Sequence, residues 1–132
     1  MKIKALLWLG VILFSFPLLA QEEEADEVRY IDLTPAFVAN YGPPGKMRYI
    51  KAEVSLRVSS QDGYRKVIHH APSLRHEIVM FLSRQTDETM ADSELKEQLR
   101  LDALSALQSV MQQEEGSEIV EDLLFSTFFV QR

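Results

Sequence analysis

Cysteine is absent from this 132-residue chain, and its absence closes several routes at once. No disulfide can staple the fold, no lipid can be carried on a cysteine anchor, and no thiolate can hold a metal. A chain of this length has room for one domain with one modest core, and that core must hold it together unaided. Positive charge is also short: 14 Lys and Arg face 20 Asp and Glu, a net charge of −6, so nucleic acid is not expected as a partner. Histidine is scarce, with His69, His70 and His76 as the only candidates. Zinc wants three or four convergent ligands, and Pro72 breaks the helical register between His70 and His76. We therefore expect no metal site and no cofactor, and read the histidines as surface residues beside a helix start. Gly-x-Ser-x-Gly, a phosphate-cradling glycine loop and His-Glu-x-x-His are all missing, which removes the usual hydrolase, nucleotide and metalloprotease signals. The acidic pairs Glu114-Glu115 and Glu121-Asp122 read as solvated faces. No catalytic residue is assigned, and a non-enzymatic protein is expected.

What is present begins with the only long apolar run. Lys2 and Lys4 precede Ala5 to Phe16, and Pro17-Leu18-Leu19-Ala20 follows as a helix break ahead of a cleavage site. That order predicts a secretory signal peptide over residues 1–20. The competing reading is a short membrane anchor, yet Ala5 to Ala20 would make a helix of only about 24 Å against hydrocarbon about 30 Å thick. Leu18 stands where a signal peptidase prefers a smaller residue. Cleavage would remove Trp8, the only tryptophan. Residues 21–27 form an acidic linker: Glu22, Glu23, Glu24, Asp26 and Glu27 repel one another and keep the segment extended. From Val28 onward the net charge is only −3, so the acidity belongs mostly to the linker.

Residues 28–132 carry the domain. Between Val28 and Val38, Ile31, Leu33 and Phe37 lie at odd positions with Asp32 and Thr34 between them, the period of a strand. Pro35 confines that strand to an edge or a bulge. Gly42-Pro43-Pro44-Gly45 predicts a hairpin. Ile50, Ala52, Val54, Leu56 and Val58 then alternate with Lys51, Glu53, Ser55, Arg57 and Ser59, one face core and the other wet. Asp62-Gly63 marks the next turn, with a short helix over Tyr64 to His70. Pro72 starts another helix, to about Arg84, on a stripe of Leu74, Ile78, Phe81 and Leu82 widened by Val79. Gln85 to Ala91 carries no pattern. Asp92 or Ser93 caps a second long helix, with Glu94 in its first turn, and Gly116 ends it. Leu95, Leu99, Ala103, Ala106 and Val110 line its core face, adjoined by Leu104, Leu107 and Met111. Ile119 to Val130, with Leu123, Leu124, Phe125, Phe128 and Phe129, reads as a buried final strand whose aromatics are core rather than a partner surface. The fold class is α+β: a small antiparallel sheet packed against two helices, in the order β-β-α-α-β.

Several local motifs in this order resemble the flagellar basal-body-associated protein FliL family. They are Tyr30-Ile31-Asp32-Leu33 with Pro35, Phe37 and Asn40; Arg48-Tyr49-Ile50; Pro72 with Leu74-Arg75; Leu99-Arg100; and Phe125-Ser126-Thr127-Phe128-Phe129-Val130-Gln131. Together they cover about Tyr30 to Gln131. The resemblance implies a stomatin-like periplasmic domain that forms homo-oligomeric rings. It further implies that flagellar stator units and the basal body are its partners, with inner-membrane association. The implied role is structural, in stator assembly or stability and so in flagellar rotation, swimming motility and chemotaxis. Family members usually carry a basic cytoplasmic tail and a full membrane-spanning helix, so with its short apolar run this sequence is expected to be a FliL-like member with a shortened N-terminus. The alternative is a periplasmic adaptor or binding domain serving envelope assembly unrelated to motility, which would leave swimming intact on deletion.

Overall fold

The computed structural model describes residues 27–131. The proposed signal peptide or anchor and nearly all of the acidic linker lie outside them. Three strands, β1 (Arg29–Tyr41), β2 (Arg48–Val58) and β3 (Asp122–Gln131), form one antiparallel sheet in the order β1-β2-β3. Between β2 and β3 the chain makes four helices: α1 (Gln61–His69), α2 (Ala71–Ser83), α3 (Asp87–Ala91) and α4 (Ser93–Glu115). The α+β class and the sheet follow the sequence reading. No described helix is long and apolar enough to cross a membrane.

Strand β2 is central because its alternation is the cleanest: Ile50, Ala52, Val54, Leu56 and Val58 are all buried on the helix side. β1 pairs with it through Ile31 opposite Leu56, Leu33 opposite Val54 and Phe37 opposite Ala52, and is itself a sheet edge. Pro35 sits at both places a strand proline is tolerated, an edge and a register shift, since pairing breaks between Leu33 and Phe37. The strand runs on past Val38 to Tyr41, burying Ala39 and Tyr41. Gly42 and Gly45 take φ of 97° and 94° in the hairpin connection, where a side chain would be strained.

The helices form one layer on the apolar face. α2 packs on β1 and on α4, while α4 packs on β3. Pro72 lies in the first turn of α2, as expected, and Leu74, Ile78, Phe81 and Leu82 are buried. Asp92 caps α4 by accepting from the Glu94 backbone at 2.9 Å, and Gly116 ends it with φ 76°. No polar or charged residue is buried among the described residues.

Six expectations need correction. Asp62-Gly63 is no turn but the first turn of α1, because Ser60 caps that helix, its Oγ accepting from the Gly63 backbone at 2.9 Å. Glycine suits the position since a Cβ would stand 3.1 Å from Ser60 Oγ and 3.3 Å from Ile119 Cγ2. Gln85 to Ala91 holds α3, whose capping box joins Thr86 and Thr89 reciprocally. The cover is thus four helices, two of them short. Val79 does not widen the α2 stripe: it follows Ile78 by 100° of helix rotation and is exposed. On α4 the buried seam runs in steps of four, through Leu99, Ala103, Leu107 and Met111. Leu95, Leu104, Ala106 and Val110 border it half-exposed.

β3 differs from expectation in how little of it is covered. The strand is there, but it is the second sheet edge and only Leu123 in it is buried. Its register slips between Glu53 and Val54, leaving Ser126 as an extra residue between Phe125 and Thr127. Phe125, Phe128 and Val130 face inward only partly covered, and Leu124 and Phe129 face outward.

Candidate partner-binding surface

Each edge strand is tied to the helix layer by a Leu-Arg pair. In α2, Leu74 is buried while its neighbour Arg75 turns outward. Arg75 Nη1 donates to the Pro35 carbonyl oxygen at 2.8 Å, and its guanidinium lies 4.2 Å from the Phe37 ring centre. That holds β1 at its bulge by a hydrogen bond and a cation–π contact. In α4, Leu99 is buried while Arg100 reaches β3. Its Nη1 donates to the Asp122 carboxylate and, at 3.1 Å, to the Leu123 carbonyl oxygen. The same guanidinium is gripped by Glu97 at 2.6 and 2.9 Å. The hydrogen bond from Arg100 holds the Glu97 carboxyl below the ordinary carboxylate value of 4.5. Arg100 itself is pushed further toward permanent charge, first by its hydrogen bond to Glu97.

Beyond Leu123, among the described residues, no helix side chain forms a hydrogen bond or ion pair with β3, although Phe125, Phe128 and Val130 pack against the core. The rest of the strand hangs on β2, with Thr127 Oγ1 donating to Glu53 Oε2 at 3.3 Å and Phe125 and Phe128 stacked edge to face at 5.1 Å. On the outward side, Val38, Lys51 and Phe129 stand in one cross-strand row, and Asn40, Tyr49 and Gln131 in the next. Val38 is 61% exposed, Phe129 48% and Tyr49 41%. Lys51 Nζ lies 5.9 Å from the Phe129 ring centre. Val38, Tyr49, Lys51, Phe129 and Gln131 line a shallow concavity of about 340 Å³. The arrangement suits an interface: large apolar rings, one cation and no catalytic group. A second depression of about 320 Å³ lies between the two bulges, lined by Asp32, Thr34, Glu53, Ser55 and Ser126. Its carboxylates already accept from Ser55 and Thr127.

The histidines do not converge. His69 and His76 are exposed, while His70, expected at the surface, is half-buried against α4, with Nε2 2.7 Å from Glu115 Oε1. Glu115 also lies 4.0 Å from Lys66, and Glu121 and Asp122 pair with Arg57 and Arg100. The acidic pairs are therefore partly spent in structural ion pairs. Among the described residues no three His, Cys, Asp or Glu side chains could hold a metal. The sequence reading assigned no site residue. The tethering arginines stood in its motifs without a role, and the outward rings of β3 were read as core.

Known proteins add a consistent picture. The family described as flagellar basal body-associated protein FliL matches residues 30–131. The flagellar protein FliL of Aquifex aeolicus (strain VF5) is 27% identical over 99 residues, covering 75% of this chain and 59% of that protein. The chain thus spans about three fifths of the length of that curated relative.

Proposed function

Because this chain belongs to the FliL family of flagellar basal-body-associated proteins, we propose that it is a non-enzymatic scaffold that supports the assembly or stability of the motor's stator units. It serves flagellar rotation, and through it swimming motility and chemotaxis. Copies assemble into a ring at the basal body, on the periplasmic face of the inner membrane. Residues 1–20 hold the chain there as a short anchor, or are cleaved and leave it soluble in the periplasm. The observation that carries this reading is the family match across the whole sheet-and-helix body, including both Leu-Arg pairs that fasten the sheet edges. An exposed apolar patch on a small domain with no catalytic constellation is what a scaffold needs.

The test is motor speed against external load in a strain lacking the chain, beside the same strain with it restored. The proposal expects speed or stator occupancy to fall at high load and to recover on restoration. Unchanged motors in the deletion strain would refute it.

A further inference from the structure

Two faces on opposite sides of the domain carry opposite charge around exposed apolar residues. The first is the outward sheet face at its hairpin end, where Val38, Tyr49 and Phe129 surround Lys51. Lys51 and Lys46, exposed in the hairpin connection, form no ion pair among the described residues; Arg48 is already bound to Asp87, and Glu53, the next outward residue of β2 away from the hairpin, accepts from Thr127. The second is the solvent face of α4. Leu101 stands 200° of helix rotation from buried Leu99 and is 42% exposed. Glu94 lies on the same stripe two turns earlier, and Asp102 flanks it; both are exposed and form no ion pair among the described residues. The α4 seam faces the sheet's apolar side, so its solvent face and the outward sheet face look in opposite directions.

We propose that these two faces bind each other between copies: the Lys51 face of one chain docks on the Leu101 face of α4 of a second copy. This rests on the assembly reading above and names its contact surfaces. The charges select the arrangement. A two-fold contact centred on the Lys51 patch would set its lysines against their own images, and one centred on Leu101 of α4 would do the same to Glu94 and Asp102, each costing like-charge repulsion. Crossing the faces pairs cation with carboxylate and buries Phe129 and Leu101 together. Such a contact is heterologous, and it propagates head to tail until it closes into a ring.

The full chain has no cysteine, so engineered thiols read the contact cleanly. Val38→Cys and Ser105→Cys are near-isosteric changes at exposed positions, one on each face. Treated with a short bis-maleimide, the chain carrying both is expected to give a ladder of dimers, trimers and larger species, and each single variant only monomer. Dimers from Val38→Cys alone would overturn the proposal in favour of a two-fold sheet contact. Monomer from every variant would overturn it as well. Sedimentation of the untreated samples then separates the causes: oligomers without cross-links mean that the faces are wrong, and monomers mean that assembly itself is wrong. Charge exchange gives a second reading that does not depend on thiol placement. Lys51→Asp and Asp102→Lys should each abolish assembly and restore it when combined, with circular dichroism unchanged throughout. Assembly undisturbed by either single reversal would contradict the pairing.

Discussion

The sheet's two edge strands share a partner, β2, and a fastening device, a helical Leu-Arg pair, yet they have opposite characters. β1 is held at its middle by Arg75 and continues to bury Phe37, Ala39 and Tyr41 on the far side of its bulge. β3 is held at its start by Arg100 and buries nothing fully after Leu123. Edge strands present unpaired backbone groups and invite association, and proteins blunt them with proline, bulges and charge. Both edges carry a bulge, but only β1 sets a proline, Pro35, in it, whereas β3 carries three phenylalanines, Phe125 and Phe128 half-covered and Phe129 outward. A domain this small buries one edge strand along its length and leaves most of the other half-covered or exposed.

Core truncation draws the contrast most sharply. Phe37→Ala removes a ring that is 1% exposed and should cost about 3–5 kcal/mol, whereas Phe129→Ala should stay within about 0.5 kcal/mol. Chemical denaturation of both variants checks this, and equal losses would erase the distinction between the edges. Next in size is the Arg100 tether: Arg100→Met strands the Asp122 carboxylate and the Leu123 carbonyl oxygen, at about 1–3 kcal/mol. Hydrogen exchange should show β3 opening while β1 stays protected. Arg75→Met should act in mirror image but more weakly, at about 1 kcal/mol, with the added exchange confined to the Pro35 region of β1.

The smallest effect is in pH. Arg100 depresses the folded-state pKa of Glu97 below 4.5, so the native state binds this proton less readily than the unfolded chain. The pair's contribution is complete above that value and is lost as pH falls through the depressed range. Acid unfolding followed by circular dichroism should therefore be shallower for Arg100→Met than for the parent below about pH 4.5. The exposed Asp62–Lys66 pair behaves likewise at both ends: the hydrogen bond lowers Asp62 from 3.8 and raises Lys66 from 10.5. Its contribution fades in acid below the first value and in base above the second.

Much of this architecture was written in local chemistry. The strict alternation of β2, the glycine-proline hairpin, Pro72 at the start of α2, Asp92 capping α4 and Gly116 ending it are each set by a residue's own backbone or burial preference. Helix α3 escaped because its five residues are too few to show a period, and its capping box closes with Thr89 instead of the expected Glu or Gln. The character of β3 escaped for a different reason. Ser126 as an extra residue breaks the alternation that would sort Phe128 from Phe129, and being an edge is a property of the whole sheet, not of ten residues. Arg75 and Arg100 were visible as Leu-Arg pairs, but which strand each guanidinium reaches is decided by packing between helices and sheet. The candidate surface was thus legible in composition, as aromatics near the C-terminus, and not in direction.

The most direct test of a chain held by β1 and offered to partners along β3 is motor speed at high load in a strain whose only copy carries Phe129→Ala, with its level checked by immunoblot. The account predicts a normally abundant protein and a motor that slows at high load to the same extent as in the deletion strain. Full speed with the substituted chain would contradict it and return Phe129 to the ordinary surface.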